Sequence, residues 1–475
     1  MSMVLSYGCG SDSRRNGVVW PSVTLARNSV GSAFHRVRGH STRPMPVASP
    51  ALVVHPQSCL ADGDIDIQVS GLHSGQEVTL RATAWTDCGR YSFHSHATYR
   101  ANHSGNISLK EDVSLGGSYE GLEPAGLLWS LRPSPEAADC HPRFAKVDTT
   151  KPFVYHLDLL DGRGGDGFDH TLPTLASTSF ERWYLADYVE RTPAKMGRAE
   201  RETQKPLPVV LDIRGLVYPL PDYRAALLAS HGFAVFAFDY LKAYKSVASD
   251  GPFYIELAAF EDIWEYIESH HALDSKRVGI SCSCVGAAMV LQAATRLDLP
   301  INCIEIAGFV DYFPINVGMV LSDGTRIPPY RCAQGTTVDG QGRLWLAMKS
   351  EHIENLKCPM LMFALGAEDA LGFKWRADAI KARLDKVGKQ HLVSYEYLPA
   401  TTHFLDAPYL PNCDTVRLVT YGLRADGQRE DYLMSLGDVA GNSQFARDQE
   451  YAWRRKLGFL HDHLGADLYR RDWLS

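Results

Sequence analysis

The spacing of apolar residues changes near residue 206, and no other feature of the chain constrains its fold as strongly. Between residues 51 and 154 apolar and polar residues alternate: Ile65, Ile67 and Val69, then a turn at 71–75, then Val78, Leu80, Ala82 and Ala84. Asp87-Cys88-Gly89 precedes another such run at 91–99, and His103-Ser104-Gly105 precedes Ile107 and Leu109. A period of two places every second side chain on one face of a strand. Short alternating strands separated by turn residues predict an antiparallel sandwich.

Beyond residue 206 the runs at 208–213, 234–238, 278–281, 303–306 and 359–365 are apolar without alternation, as strands buried on both faces are. Helical segments separate them. One covers 223–231; another covers 255–270, where Leu257, Phe260, Ile263, Trp264 and Ile267 fall on one stripe. Strands alternating with helices predict a mostly parallel sheet with crossover helices. The fold class is therefore α/β, with a small antiparallel sandwich in front.

A length of 475 residues exceeds what a single core usually supports. We divide the chain into a leading segment 1–45, a sandwich 46–165 and an α/β domain 166–475, the boundary falling near 152–169. The stretch 162–205 is rich in Gly, Arg and polar residues. It predicts one strand pair around 180–189 and then a charged loop. The sandwich offers no nucleophile with a base nearby, so it is read as a covering or substrate-shaping domain.

The leading segment carries Arg14, Arg15, Arg27, Arg36, Arg38 and Arg43 against the single acid Asp12, a composition suited to a mitochondrial transit peptide. A disordered tail is the alternative, with a cytoplasmic or peroxisomal protein. The final residues Asp472, Trp473, Leu474 and Ser475 are not the peroxisomal address. A net charge of −7 gives no basic face for nucleic acid. No apolar run approaches the ~18 residues of a membrane span. The 10 cysteines lack metal-ligand spacing and follow no secretory signal, which predicts reduced thiols and no metal site.

The chemistry centres on residues 277–288, RVGISCSCVGAA. A short apolar run, a cluster of small residues and an Ala-rich helical segment outline a nucleophile elbow, where the strained turn demands small neighbours. Cys284 meets that demand, with Cys282 two before it, Gly286 two after and Ala287 next. The alternative register centres on Ser281. An elbow of this kind is followed in the chain by an acid and then a histidine. The run 359–365 leads into Gly366-Ala367-Glu368-Asp369, and the run 392–398 leads into His403. The order Cys284, Asp369, His403 is that of an α/β-hydrolase triad, Glu368 being the alternative acid. In it His403 takes the thiol proton, Cys284 attacks an acyl carbon and Asp369 orients the imidazole. The oxyanion hole is expected from the backbone N–H of Val285 and from the loop 214–217, with Leu216 as second donor. A merely structural turn at Gly215 is the competing reading.

Three groups of residues carry a family resemblance. They are VTLRATAWTDCGRYSFHSHATYRA at 78–101, LGGSYEGLEPAGLLWSLRP at 115–133, and the set RVGISCSCVG, GAEDALGFKW and THFLDAPYLP at 277–286, 366–375 and 402–411. The chain resembles the type I acyl-CoA thioesterases and the bile acid-CoA:amino acid N-acyltransferases from about residue 50 to about 470. The resemblance implies a sandwich followed by an α/β-hydrolase domain, and cleavage of acyl-CoA through an acyl-enzyme. Thioesterases of this family have serine as nucleophile and the N-acyltransferases have cysteine; Cys284 occupies that position here, with Asp369 as acid and His403 as base. The family's oxyanion loop is Gly-rich, whereas Leu216, Val217, Tyr218 and Pro219 stand here.

The expected activity is thioester hydrolysis of acyl-CoA through an acyl-Cys284 intermediate. Transfer of the acyl group to glycine or taurine is the alternative, an inactive acyl-CoA binder is a reading of a different class, and an unrelated carboxylesterase or dienelactone-hydrolase-like enzyme is disfavoured by the sandwich. Coenzyme A is part of the substrate and no other cofactor is expected. For its phosphates Arg214, Arg224 and Lys242 are candidates, with a solvated surface as the plainer role of each.

Overall fold

The computed structural model describes residues 2–7, 21–22, 49–165, 171–191, 205–215, 222–238, 253–309, 317–320, 323–327, 337–338, 344–345, 352–367, 373–402, 405–420, 430–435 and 439–465. Nine strands between residues 51 and 183 form a three-stranded and a six-stranded sheet. The smaller pairs Ala51–His55, Asp66–Ser70 and Ile107–Ser108 antiparallel. The larger runs in the order Ser58–Leu60, Thr174–Trp183, Phe153–Asp161, Glu77–Trp85, Ser92–Arg100, Arg132–Pro133. Only its first pair is parallel.

The alternation read from the sequence is realised as burial. Ile65, Ile67, Val69, Val78, Leu80, Ala82 and Ala84 all face the core, as do Phe153, Tyr155, Leu157 and Leu159, while Val154 faces out. Each large side chain so buried contributes about 1.5–3 kcal/mol. Aromatic stacking adds to it, with Phe144 on Phe153 at 4.4 Å and Tyr155 on Phe180 at 5.1 Å between ring centroids. Because Thr174–Trp183 pairs with Phe153–Asp161 from Phe153 to Leu160, the antiparallel unit continues past residue 165.

The second large sheet is parallel in the order Val189–Arg191, Ser2–Tyr7, Ala234–Ala237, Leu207–Ile213, Leu273–Cys284, Cys303–Phe309, Met360–Leu365, Val393–Leu398. Pro21–Ser22 adds to it antiparallel. Two local expectations change here. Thr174–Trp183 and Val189–Arg191 are not partners of each other, since each belongs to a different sheet. Ser2–Tyr7, in the segment read as disordered or as a transit peptide, is strand.

Leu207–Ile213 and Met360–Leu365 are buried at every position, which explains their unbroken apolar sequence. From Leu207–Ile213 the chain steps outward to Ala234–Ala237. It then crosses back to Leu273–Cys284 on the other side, creating a switch in strand order. In open α/β sheets ligands bind at the carboxyl ends of the strands beside such a switch. This is the α/β-hydrolase architecture, preceded by the antiparallel sandwich.

Helices Ala258–Ser269, Val285–Arg296, Phe373–Lys386 and Ser443–Leu464 flank the sheet. Asn442 caps the last of them by accepting from the N–H groups of Gln444 and Phe445, and Gly465 ends it at φ 61°. That helix lies so close to the central strands that a Cβ on Gly279 would stand 2.9 Å from Leu464 Cδ1 and 3.0 Å from Cys303 Sγ. Among the described residues no helix is long and apolar enough to cross a membrane.

Candidate active site

Cys284 is the last residue of the strand Leu273–Cys284, and the helix Val285–Arg296 begins at the next residue. Its backbone stands at φ 54°, ψ −131°, a conformation that side-chain-bearing residues rarely adopt. Such strain of about 1–3 kcal/mol persists where the surroundings over-determine it. Gly286 explains the small residue two positions on: a Cβ there would lie 2.6 Å from the Ile213 carbonyl oxygen and 2.9 Å from that of Arg214. Only glycine lets the elbow approach the neighbouring strand so closely.

Ser281, the alternative centre, lies inside the strand, fully buried, and its hydroxyl donates to Glu305 Oε2 at 2.6 Å. Cys282 is buried as well, its thiol donating to the Glu305 carbonyl at 3.4 Å. Cys284 is half-buried. None of the eight described cysteines is paired in a disulfide.

Val285 is the first helical residue, so its N–H is one of those without an intrahelical acceptor. The helix N-terminus also favours negative charge at the junction. The strand Leu207–Ile213 pairs with the elbow strand in a register that sets Ile213 beside Cys282. Its continuation, Arg214 and Gly215, is buried at the carboxyl edge. Leu216 lies outside the described residues.

The expected acid and base, Asp369 (with Glu368 as its alternative) and His403, also lie outside the described residues. The segments that lead to them are described, and they touch. Met360–Leu365 and Val393–Leu398 are paired in parallel. Past their ends the Gly366 N–H donates to the Leu398 carbonyl at 2.9 Å and the Ala367 N–H to the Thr401 carbonyl at 3.0 Å. Gly366 is required there, because a Cβ would come within 2.7 Å of Pro399 Cα. Residues two before Asp369 and two before His403 are thus bonded to each other.

Comparison with known proteins identifies the lineage of this arrangement. Residues 62–195 match the model of the acyl-CoA thioester hydrolase/BAAT N-terminal region, and residues 255–466 that of the BAAT/acyl-CoA thioester hydrolase C terminal. The chain is 30% identical over 431 residues to acyl-coenzyme A thioesterase 1 of Mus musculus, covering 86% of this chain and 94% of that protein. The chain belongs to the acyl-CoA thioester hydrolase/BAAT family. It is also 30% identical to the mouse mitochondrial acyl-coenzyme A thioesterase 2 over 85% of this chain and 87% of that protein. To mouse bile acid-CoA:amino acid N-acyltransferase it is 29% identical, over 88% of this chain and 98% of that protein. The family resemblance read from the sequence is thereby borne out.

Around its elbow this acyl-CoA thioester hydrolase/BAAT chain carries buried charge that the sequence reading missed. Arg214 donates to Asp406 Oδ1 at 2.8 Å, and Arg143 reaches the other carboxylate oxygen. The Tyr223 hydroxyl donates to Asp406 as well. Burial alone would raise the pKa of Asp406, but the guanidiniums of Arg143 and Arg214 and the Tyr223 hydrogen bond outweigh it and hold the carboxyl at about 2. Arg224 pairs with Asp212, both being 1% exposed. Arg214 and Arg224 are therefore neither solvated nor open to coenzyme A phosphates, because each is committed to a buried carboxylate. Lys242 lies outside the described residues. In the sequence Asp406 stands between the apolar Leu405 and Ala407, inside the THFLDAPYLP stretch that carries the family resemblance.

Proposed function

We propose that this chain cleaves acyl-CoA thioesters through an acyl intermediate on Cys284, with His403 as base, Asp369 as orienting acid and the N–H groups of Val285 and Leu216 as oxyanion donors. The observation that carries the reading is the strained strand-to-helix junction at Cys284, closed against the neighbouring strand through Gly286. Family membership supplies the substrate class. His403 removes the thiol proton, Cys284 attacks the thioester carbonyl, and the coenzyme A thiol departs with that proton. One thioester replaces another, so the exchange is close to balanced. Water or an amine, activated by His403, then discharges the acyl group.

Hydrolysis is the minimal reaction of this arrangement. A cysteine thioester is also reactive toward amines, which supports a second outcome, transfer to glycine or taurine. The relative named as mitochondrial supports a mitochondrial location.

The test is release of free coenzyme A from a long-chain acyl-CoA by the full chain, with and without glycine or taurine, beside Cys284→Ala. Release by the wild type and its loss, by about 10³-fold or more, in Cys284→Ala is expected. Accumulation of an N-acyl amino acid at the expense of free fatty acid marks transfer. Acyl-CoA binding without coenzyme A release would overturn the enzymatic reading in favour of the inactive binder.

A further inference from the structure

Four segments meet at the carboxylate of Asp406, and two of them lead directly into the expected machinery. Arg214 is the residue after the strand Leu207–Ile213, two positions before Leu216. Asp406 stands three positions after His403. Tyr223 opens the helix that follows the oxyanion loop, and Arg143 comes from the sandwich portion, before Phe153–Asp161. Arg214 Nη2 lies 2.8 Å from Asp406 Oδ1 and 3.3 Å from the Tyr223 hydroxyl, and its guanidinium sits 4.9 Å from the centre of the Tyr223 ring. Arg143 Nη2 stands 3.4 Å from the same hydroxyl. The backbone oxygen of Arg214 is, with that of Ile213, one of the two that crowd Gly286, two residues after Cys284. A chain of contacts thus runs from the elbow, through Arg214, to the segment that bears His403.

Burying two guanidiniums around one carboxylate is an inefficient way to gain stability, since apolar groups of the same volume do as well or better. Such a cluster does fix geometry: the carboxylate has a limited number of acceptor directions, and three donors occupy them. We infer that Asp406 is a positioning residue that locks the His403 segment to the oxyanion strand, with Arg143 extending the lock to the sandwich. The inference rests on the proposed Cys284–His403 chemistry and deepens it.

Among the described residues the groups facing Asp406 are Arg143, Arg214 and Tyr223, with Tyr184 and Cys413 also within electrostatic reach. Asp212 lies near Arg214, and Cys413 near Arg143. None of these described groups is the expected base, and in this proposal a change at Asp406 reaches Cys284 through the placement of His403 and the oxyanion strand.

The experiment compares wild type, Asp406→Asn and Tyr223→Phe by two readouts: kcat and KM for acyl-CoA turnover, and the pH dependence of Cys284 alkylation by iodoacetamide, located by peptide mass spectrometry. Alkylation needs the thiolate but no oxyanion hole, so it reports how His403 is held. In Asp406→Asn kcat falls at least about 30-fold with KM within about 2-fold, and the alkylation midpoint rises toward the ~8.5 of an ordinary thiol. Tyr223→Phe, which keeps the ring and deletes the hydrogen bond to Asp406 along with those the hydroxyl accepts from Arg143 and Arg214, loses about 3- to 10-fold in kcat. Wild-type kcat and an unchanged midpoint in a folded Asp406→Asn overturn the inference. If Asp406→Asn does not fold, Tyr223→Phe decides, and wild-type values on both readouts overturn it. A wild-type midpoint already at ~8.5, with no turnover, would instead strike the Cys284–His403 chemistry itself.

Discussion

Cys284 holds φ 54° and ψ −131°, a region that glycine enters without the Cβ penalty of other residues. If this strain is stored for function, Cys284→Gly will unfold at higher urea than Cys284→Ala, by about 1 kcal/mol, while neither turns over acyl-CoA. Equal stabilities would show that the junction is relaxed. Two positions on, Gly286→Ala would drive a Cβ to 2.6 Å from the Ile213 carbonyl oxygen. Overpacking against backbone costs about 1–3 kcal/mol, and because the clash prises the elbow from the oxyanion strand, kcat should fall about 100-fold or more. A Gly286→Ala protein with native kcat in steady-state assay would refute that geometry. Both residues were legible in the sequence, since the backbone demands small side chains at fixed spacing from the nucleophile. Asp406 was not, because its role depends on Arg143, 263 residues away along the chain, and no local spacing encodes such a pairing.

Three central strands share a polar rung. Register sets Asp212 beside Ser281 and Ser281 beside Glu305, one residue from each of Leu207–Ile213, Leu273–Cys284 and Cys303–Phe309. Helices supply the counter-charges: Arg224 to Asp212, and Lys456 to Glu305 at 3.3 Å. Burial pushes the Lys456 ammonium below its ordinary pKa, and only partly is this opposed by Glu305. Lys456→Met should therefore destabilise by about 3–5 kcal/mol, because Glu305 is left buried and uncompensated. Adding Glu305→Gln should restore most of that loss in urea denaturation. A loss below ~1 kcal/mol in the single variant would contradict a stabilising Lys456–Glu305 pair. The strands themselves were readable from unbroken apolar runs. Their partners were less so: Thr174–Trp183 and Val189–Arg191 are close in sequence, yet they join different sheets. Only the long-range pairing with Phe153–Asp161 and Ser2–Tyr7 decides that.

Buried polar contacts fasten the sandwich to the α/β sheet. Asp62 accepts from Trp453 Nε1 at 2.7 Å and contacts His231 Nε2 at 2.5 Å, and Arg143 spans to Asp406. Burial by itself would raise the pKa of Asp62, but the charge and hydrogen bond of His231, with the bond from Trp453, bring it below the ordinary value. Asp406 is depressed to about 2. A carboxyl depressed in the folded state contributes stability in full above its unfolded pKa near 3.8 and loses it as pH falls through the folded value. For Asp406 that is about 2 kcal/mol, lost between roughly pH 4 and pH 2. Urea midpoints measured across that window should fall steeply for the wild type and less steeply for Asp406→Asn. Parallel slopes would contradict the assignment. The two-part architecture was visible in the change of apolar period near residue 206, whereas the fastening between the parts was not, because it is made by single polar residues in otherwise apolar surroundings.

The central claim, an acyl group carried on Cys284, is tested most directly by intact-protein mass spectrometry within seconds of mixing with a long-chain acyl-CoA, followed by peptide mapping. The account predicts one adduct of the acyl mass, located on the peptide containing Cys284, absent from Cys284→Ala and discharged by water, glycine or taurine. Coenzyme A release with no adduct, or an adduct that persists in Cys284→Ala, would contradict it.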